Sequence, residues 1–235
     1  LRRGIGEGDD FAKRFTEPVQ SHFAAGRDRR SQSLCALQGG PAGVVDMLRA
    51  LRTHAPGQEG REFTRGHVGS VCMHAGGLIG DQTTGSLVAV LRRDAPMTLW
   101  VTGASTPCIA AFKPLFFGVD SGAPVFESDA QGREYWLKRE RLHRAVLAGK
   151  VDVTLLRERR DALETAWLAE EESLFSSGAP DSAKLAAFAK RAAAEEEAMV
   201  DAFSVEDWSG IQGRGRFARY WRGKNATLGK GRQIG

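Results

Sequence analysis

Long hydrophobic runs are missing from this sequence. Arg, Asp or Lys interrupts every apolar stretch before the roughly 18 to 20 residues a membrane span needs, so a membrane protein is not expected. Cysteine is scarce as well. Cys35, Cys72 and Cys108 are odd in number and none has C-x-x-C spacing, which argues against a disulfide scaffold and against a zinc site. No apolar stretch follows Leu1-Arg2-Arg3-Gly4, so no signal peptide is legible; the natural start is expected upstream and the location is expected to be cytoplasmic. A dinucleotide fingerprint is also lacking, because Gly4-Ile5-Gly6-Glu7-Gly8 follows no strand and completes no GxGxxG spacing. No repeat of solenoid period is visible.

What is present is the composition of a soluble globular protein, 42% hydrophobic and 26% charged. Its 235 residues are enough for one large domain or two small ones. The net charge of +4 is unevenly placed: every charged residue between Gly213 and Gly235 is basic. Such a Gly- and Arg-rich segment is expected to be a solvated, flexible tail, with phosphate contacts to nucleic acid as the competing reading.

Residues 31–126 are rich in Gly, Thr, Val and Leu, and short apolar runs broken by turn residues predict strands at Ser33–Leu37, Val68–His74, Thr83–Leu91, Met97–Thr102 and Cys108–Phe117. The continuous apolar run Leu87–Leu91 predicts a strand covered on both faces. Helices are expected after Thr16, where Val19 and Phe23 share a face, and over Pro41–His54, where Val44, Val45, Leu48 and Leu51 do. His54–Gly66 reads as an exposed loop. Beyond Arg133 the period becomes helical in three segments, marked by Tyr135, Leu142 and Val146, by Leu156, Leu163 and Trp167, and by Leu185, Phe188, Ala192, Met199 and Phe203. Asp181 is placed to cap the last of these, and the 176–180 break makes the final two an antiparallel pair. The expected organisation is a sheet-containing domain over 1–130, a helical extension over 131–205 and a basic tail over 206–235.

Four ordered elements lie between Ser70 and Gly118: Cys72-Met73-His74, Thr83-Thr84-Gly85-Ser86, Trp100-Val101-Thr102-Gly103 with Pro107-Cys108, and Phe112-Lys113-Pro114. Together with Glu140-Arg141-Leu142-His143-Arg144 they resemble the secernin and cysteine-dipeptidase family of N-terminal-nucleophile hydrolases. The resemblance spans roughly Phe11 to Phe175 and is densest between 70 and 145. It implies an α+β fold, part of a four-layer αββα sandwich with an appended helical region, and cleavage of dipeptide or small amide substrates without a cofactor. In that chemistry the nucleophile is a cysteine whose own α-amine acts as base. Leu1 has no nucleophilic atom, so no catalytic residue is assigned within this sequence, and the nucleophile is expected upstream in a missing segment of the same protein. Implied partners are the substrate, that segment and a second copy of the chain, with nucleic acid not expected. A non-catalytic secernin-like regulator with a basic tail is the alternative.

Cys72 and Cys108 sit in apolar contexts and read as small buried hydrophobes, as does Cys35. Cys72 and His74 would share a strand face, a spacing that could build a Cys-His pair, but the resemblance assigns the base to an N-terminal amine and His74 reads as a substrate-site or supporting residue. Arg29 and Arg30 are candidates to bind a substrate carboxylate through a bidentate guanidinium, or members of a solvated loop. Thr83, Thr84 and Ser86 are candidates to approach substrate closely beside Gly85, or ordinary β-formers. His143 reads as a packed helix residue, and His22, His54 and His67 receive no role.

Overall fold

A computed structural model describes residues 10, 14–17, 23–40, 42–77, 81–119, 126 and 128–229. Among the described residues there are six helices and one small antiparallel sheet, an α+β arrangement. The helices are α1 (Gly26–Ala36), α2 (Val44–Leu51), α3 (Asp129–Leu147), α4 (Val153–Phe175), α5 (Ser182–Ala202) and α6 (Gly215–Gly229). None of them is long and apolar enough to cross a membrane.

The sheet has the order β1 (Ser86–Val90), β2 (Thr98–Thr102), β3 (Lys113–Phe116). Val88 faces Trp100 across the first pair and Trp100 faces Pro114 across the second. Pro114 donates no ladder hydrogen bond and is tolerated because β3 is an edge strand. In β2 the side chains of Thr98, Trp100 and Thr102 point into the core and those of Leu99 and Val101 are half-buried, the period-2 alternation of a pleated strand. The expected two-sided cover of β1 is not found: Val88 is buried, but Leu87 and Leu91 are 53% and 75% exposed.

Helices α3, α4 and α5 follow the apolar period read from the sequence. Asp181 caps α5, its Oδ1 accepting from Ala183 N–H at 2.7 Å. Leu185, Phe188, Ala192 and Met199 are buried along one stripe of that helix. Trp167 donates to Glu195 and Arg191 to Glu170, so α4 and α5 run antiparallel. Lys113 of β3 meets Glu196 of α5, and Phe116 meets Phe188, which seats α5 on the sheet edge. Buried apolar residues from Leu48 in α2 to Trp221 in α6 form one continuous core.

Several local expectations change. Residues 33–36, expected as strand, are the last turns of α1, and 68–74 form no strand beyond a single bridge between His67 and His74. Of the helix expected after a Thr16 cap, Glu17 is not helical and Phe23 is; residues 18–22, and Pro41, lie outside the described residues. The 54–66 loop is not wholly exposed: Ala55, Gln58, Glu62 and Phe63 are buried. The basic segment expected as a flexible tail is helix α6 from Gly215 to Gly229. Phe217, Ala218 and Trp221 bury one side of it, Trp221 Nε1 donates to Ala75 O at 3.2 Å, and a Cβ at Gly76 would meet the Phe217 ring at 2.5 Å. Only glycine allows that approach, at a φ of 112°.

Candidate functional site

Three stretches without regular secondary structure meet in the core: the turn after α2, the 67–75 segment and the turn that precedes β3. They carry His54, Cys72 with His74, and Cys108. Local backbone contacts set these positions. Cys72 N–H donates to Thr53 O at 3.0 Å, and His67 and His74 exchange backbone hydrogen bonds. The backbone N–H groups of Ile109 and Ala110 both donate to Thr106 O, which curls the turn around Cys108.

One donor atom from each of the four side chains lies within 4.8 Å of all the others. His74 Nε2 is 3.1 Å from His54 Nε2, 3.6 Å from Cys72 Sγ and 3.5 Å from Cys108 Sγ. Thr106 Oγ1 sits 3.2 Å from Cys108 Sγ. Cys72, His74 and Cys108 are 0%, 3% and 3% exposed. Burial pushes the Cys72 thiol well up, reinforced by its hydrogen bond to Cys108. Burial would push Cys108 up too, but the hydrogen bond from Cys72, the charge of His74 and bonds from both imidazoles outweigh it and hold this thiol well down.

Outside these four lies a second layer. Glu62, buried, has Oε1 3.8 Å from His54 Nδ1 and accepts from Arg157 Nη2 at 2.9 Å. His143 of α3 is fully buried, with Arg144 Nη1 donating to its Nδ1 at 2.8 Å and the Gln82 amide 3.3 Å from its Nε2. Burial, with the positive charge of Arg144 beside it, holds His143 well below the usual imidazole range and therefore neutral. The Phe63 ring packs edge-on against His74 and seals the cluster on that side. On the outer side of His54 an open cleft of about 680 Å³ is bounded by Asp28, Gln32, Thr53 and His67.

No family model, curated protein or solved structure matches the chain.

Of the residues singled out in the sequence, the structure brings His74 into this cluster together with both buried cysteines. Thr83 stands beside it: its Oγ1 accepts from Met73 N–H at 3.0 Å, which pins the backbone between Cys72 and His74. Arg29 Nη1 donates to Val68 O at 3.0 Å, so its guanidinium braces the 67–75 segment. Arg30 and Thr84 are exposed and Ser86 is half-buried at the start of β1; none of the three makes a contact in the cluster. The sequence reading missed His54, Glu62 and Arg157. The one available signal was that His54 ends the α2 pattern immediately before Ala55-Pro56-Gly57, where a turn can aim a side chain back toward the core.

Chemically, buried thiols hydrogen-bonded to imidazoles admit two uses, nucleophilic attack or metal ligation. Attack needs a path for substrate to the sulfur, and the near-complete burial of Cys72 and Cys108 denies it.

Proposed function

We propose that the chain is the substrate-wall portion of a cysteine amidohydrolase of the secernin and dipeptidase type, its three-stranded sheet forming part of one layer of an αββα sandwich. The observation that carries the reading is the convergence of the distinctive sequence elements. Cys72-Met73-His74, the Thr83 strand lead, the Pro107-Cys108 turn and the Leu142-His143-Arg144 helix are spread over more than seventy positions, yet hydrogen bonds join Thr83 with Met73 and Cys108 with His74, and Gln82, the residue before Thr83, meets His143. Lys113 of the Phe-Lys-Pro element ties the same sheet to α5. Residue types that recur together in a resemblance and also meet in space belong to one structural unit.

In this reading the internal thiols do not attack the amide. That step belongs to a cysteine with its own α-amine at a chain start, where amine and thiol share one residue and no imidazole base is needed. Attack forms the C–S bond, the tetrahedral oxyanion collapses, the C–N bond breaks, and the amine leaves with a proton. Water then hydrolyses the thioester and regenerates the thiol. The cleft beside His54 is the surface the dipeptide would line, and Arg29, through Val68 O, braces the backbone between its lining residues His67 and Gly69.

The test is a dipeptide and small-amide panel assayed with the 235-residue chain alone and with the polypeptide that includes the encoded residues preceding Leu1. Turnover is expected only from the longer polypeptide and is expected to be abolished by alkylation of its terminal thiol. Turnover by the 235 residues alone, lost on Cys108→Ser or Cys72→Ser, overturns the reading, as does a longer polypeptide with no amidase activity.

A second reading, a non-catalytic interaction protein, is favoured by α6. With Phe217, Ala218 and Trp221 buried on one side, Arg216, Arg219, Arg222 and Lys224 project from the exposed side. Binding of a nucleic-acid duplex that weakens steeply with salt, and is lost when these four residues are replaced by Gln, would favour it over the hydrolase reading.

A further inference from the structure

We propose that His54, Cys72, His74 and Cys108 bind a single zinc ion in a closed tetrahedral Cys2His2 site that fastens together three irregular segments of the chain.

Three of the six ligand-to-ligand distances are those of a tetrahedron's edges, and all six lie within 4.8 Å. With Zn–N near 2.05 Å and Zn–S near 2.3 Å, ligand atoms at the tetrahedral angle stand about 3.3 Å apart for two nitrogens and about 3.6 Å apart for nitrogen and sulfur. The structure has 3.1 Å between the two Nε2 atoms, and 3.6 and 3.5 Å from His74 Nε2 to the two sulfurs. Hydrogen bonding alone does not account for this. A ring nitrogen carries either one proton or one lone pair, in one direction in the ring plane, so His74 Nε2 can make one well-aligned hydrogen bond and not three. A cation at the common centre gives every one of these contacts the same explanation.

Charge and surroundings agree. Two thiolates cancel the charge of one divalent zinc, so the ion with its four ligands is neutral and suits a pocket in which three of the four residues are almost wholly buried. A ligating imidazole characteristically directs its other nitrogen toward a carboxylate, and the buried Glu62 stands off His54 Nδ1, fixed in turn by Arg157. Thr106 Oγ1, 3.2 Å from the Cys108 sulfur, is within reach to donate a hydrogen bond to it as a thiolate. A Cys2His2 iron–sulfur cluster does not fit, because it assigns the cysteines to one iron and the histidines to the other. Here His74 Nε2 is nearly equidistant from both sulfurs and nearer still to the other imidazole. Four protein ligands leave no open position for water, which makes the ion a structural one.

The position in the fold gives the ion its task. The described part of residues 52–85 contains neither helix nor strand beyond the His67–His74 bridge, an unusual length of irregular chain for the middle of a core. The ligands come from its beginning, its middle and the separate turn before β3, so the ion replaces the ladder hydrogen bonds that these segments do not make. This inference stands independently of the amidohydrolase reading, since it concerns chain stability and not turnover.

The test uses the full 235-residue chain expressed with zinc in the medium and freed of loosely held metal by gel filtration. Elemental analysis is expected to find about one zinc per chain, and zinc K-edge absorption is expected to find two sulfur and two nitrogen neighbours. Replacement by cobalt is expected to produce thiolate-to-cobalt charge transfer and the intense visible bands of a tetrahedral ion. Cys108→Ser and Cys72→Ser are expected to lose the zinc, whereas Cys35→Ser, at an exposed cysteine outside the cluster, retains it. If the ligand variants do not fold, the wild-type absorption and cobalt spectra decide alone. Folded wild-type chain without zinc, zinc bound only by oxygen and nitrogen, a binuclear iron–sulfur spectrum, or full zinc retention in Cys108→Ser each overturns the proposal.

Discussion

Replacing Glu196 with Gln removes a buried charge that two buried cations share. Glu196 is 2% exposed; Arg139 Nε donates to it at 2.9 Å, Lys113 Nζ approaches it at 3.2 Å and Tyr135 Oη donates to it at 3.4 Å. Removing one partner from a buried ion pair costs about 3–5 kcal/mol, because the remaining charge stays desolvated. Two features narrow that range. Arg139 keeps Glu197 as a partner at 2.7 Å, so its loss is partial. Lys113 has a way out: burial, with the positive charge of Arg139, already holds its ammonium below the usual range against the pull of Glu196. Discharging an ordinary lysine at pH 7 costs at most about 5 kcal/mol, and a depressed one costs less, so about 3–4 kcal/mol is expected for Glu196→Gln. The sign with pH follows. A lysine whose folded pKa lies below its unfolded value binds more protons unfolded, so stability rises with pH across that window, and more so in the variant, where Lys113 sinks further. Urea unfolding followed by circular dichroism at pH 7 and pH 9 should therefore give a large deficit that narrows at the higher pH. Adding Lys113→Met should recover part of it. A deficit under about 1 kcal/mol, the range of exposed pairs, would refute the reasoning, as would a gap unchanged by pH.

Trp221→Ala removes the indole that packs on Phe217 and Tyr220 and donates to Ala75 O, and a loss of about 3–5 kcal/mol is expected from thermal unfolding, with early proteolytic release of the 215–229 helix. Asp181→Ala strips the cap of α5 and should cost about 0.5–2 kcal/mol, measurable by denaturant midpoint, with recovery in Asp181→Ser.

The helical half was legible because its signals are local. Leu185, Phe188, Ala192 and Met199 repeat at the period of one helix face, and Asp181 after Pro180 announces where that face starts. The strands through Val88, Trp100 and Phe116 were legible for a similar reason, since β-formers there are bounded by turns. Leu34-Cys35-Ala36-Leu37 misled: four successive apolar residues suggest a strand, yet they complete a helix that buries none of its residues. Glycine and arginine concealed α6, whose core contact depends on Phe217 and Trp221, four residues apart within a basic composition. The cluster at His54, Cys72, His74 and Cys108 lay furthest from reach. Only the Cys72–His74 step is local; the other two side chains arrive through turns whose aim is set by tertiary contacts, and spacing rules built on C-x-x-C pairs carry no information about them.

The turn that presents Cys108 is gripped from its carbonyl side by α4 and α2. Arg52 at the end of α2 donates to Pro107 O and Ala110 O, while Arg157 and Arg160 of α4 donate to Cys108 O. Arg52 is in turn locked to Glu164, which also accepts the Phe112 N–H. The sulfur therefore rides on a long helix more than forty residues further along the chain. A tilt of α4 would drag Cys108 with it, so any ligand or partner that shifts this helix acts at a distance on the buried imidazoles.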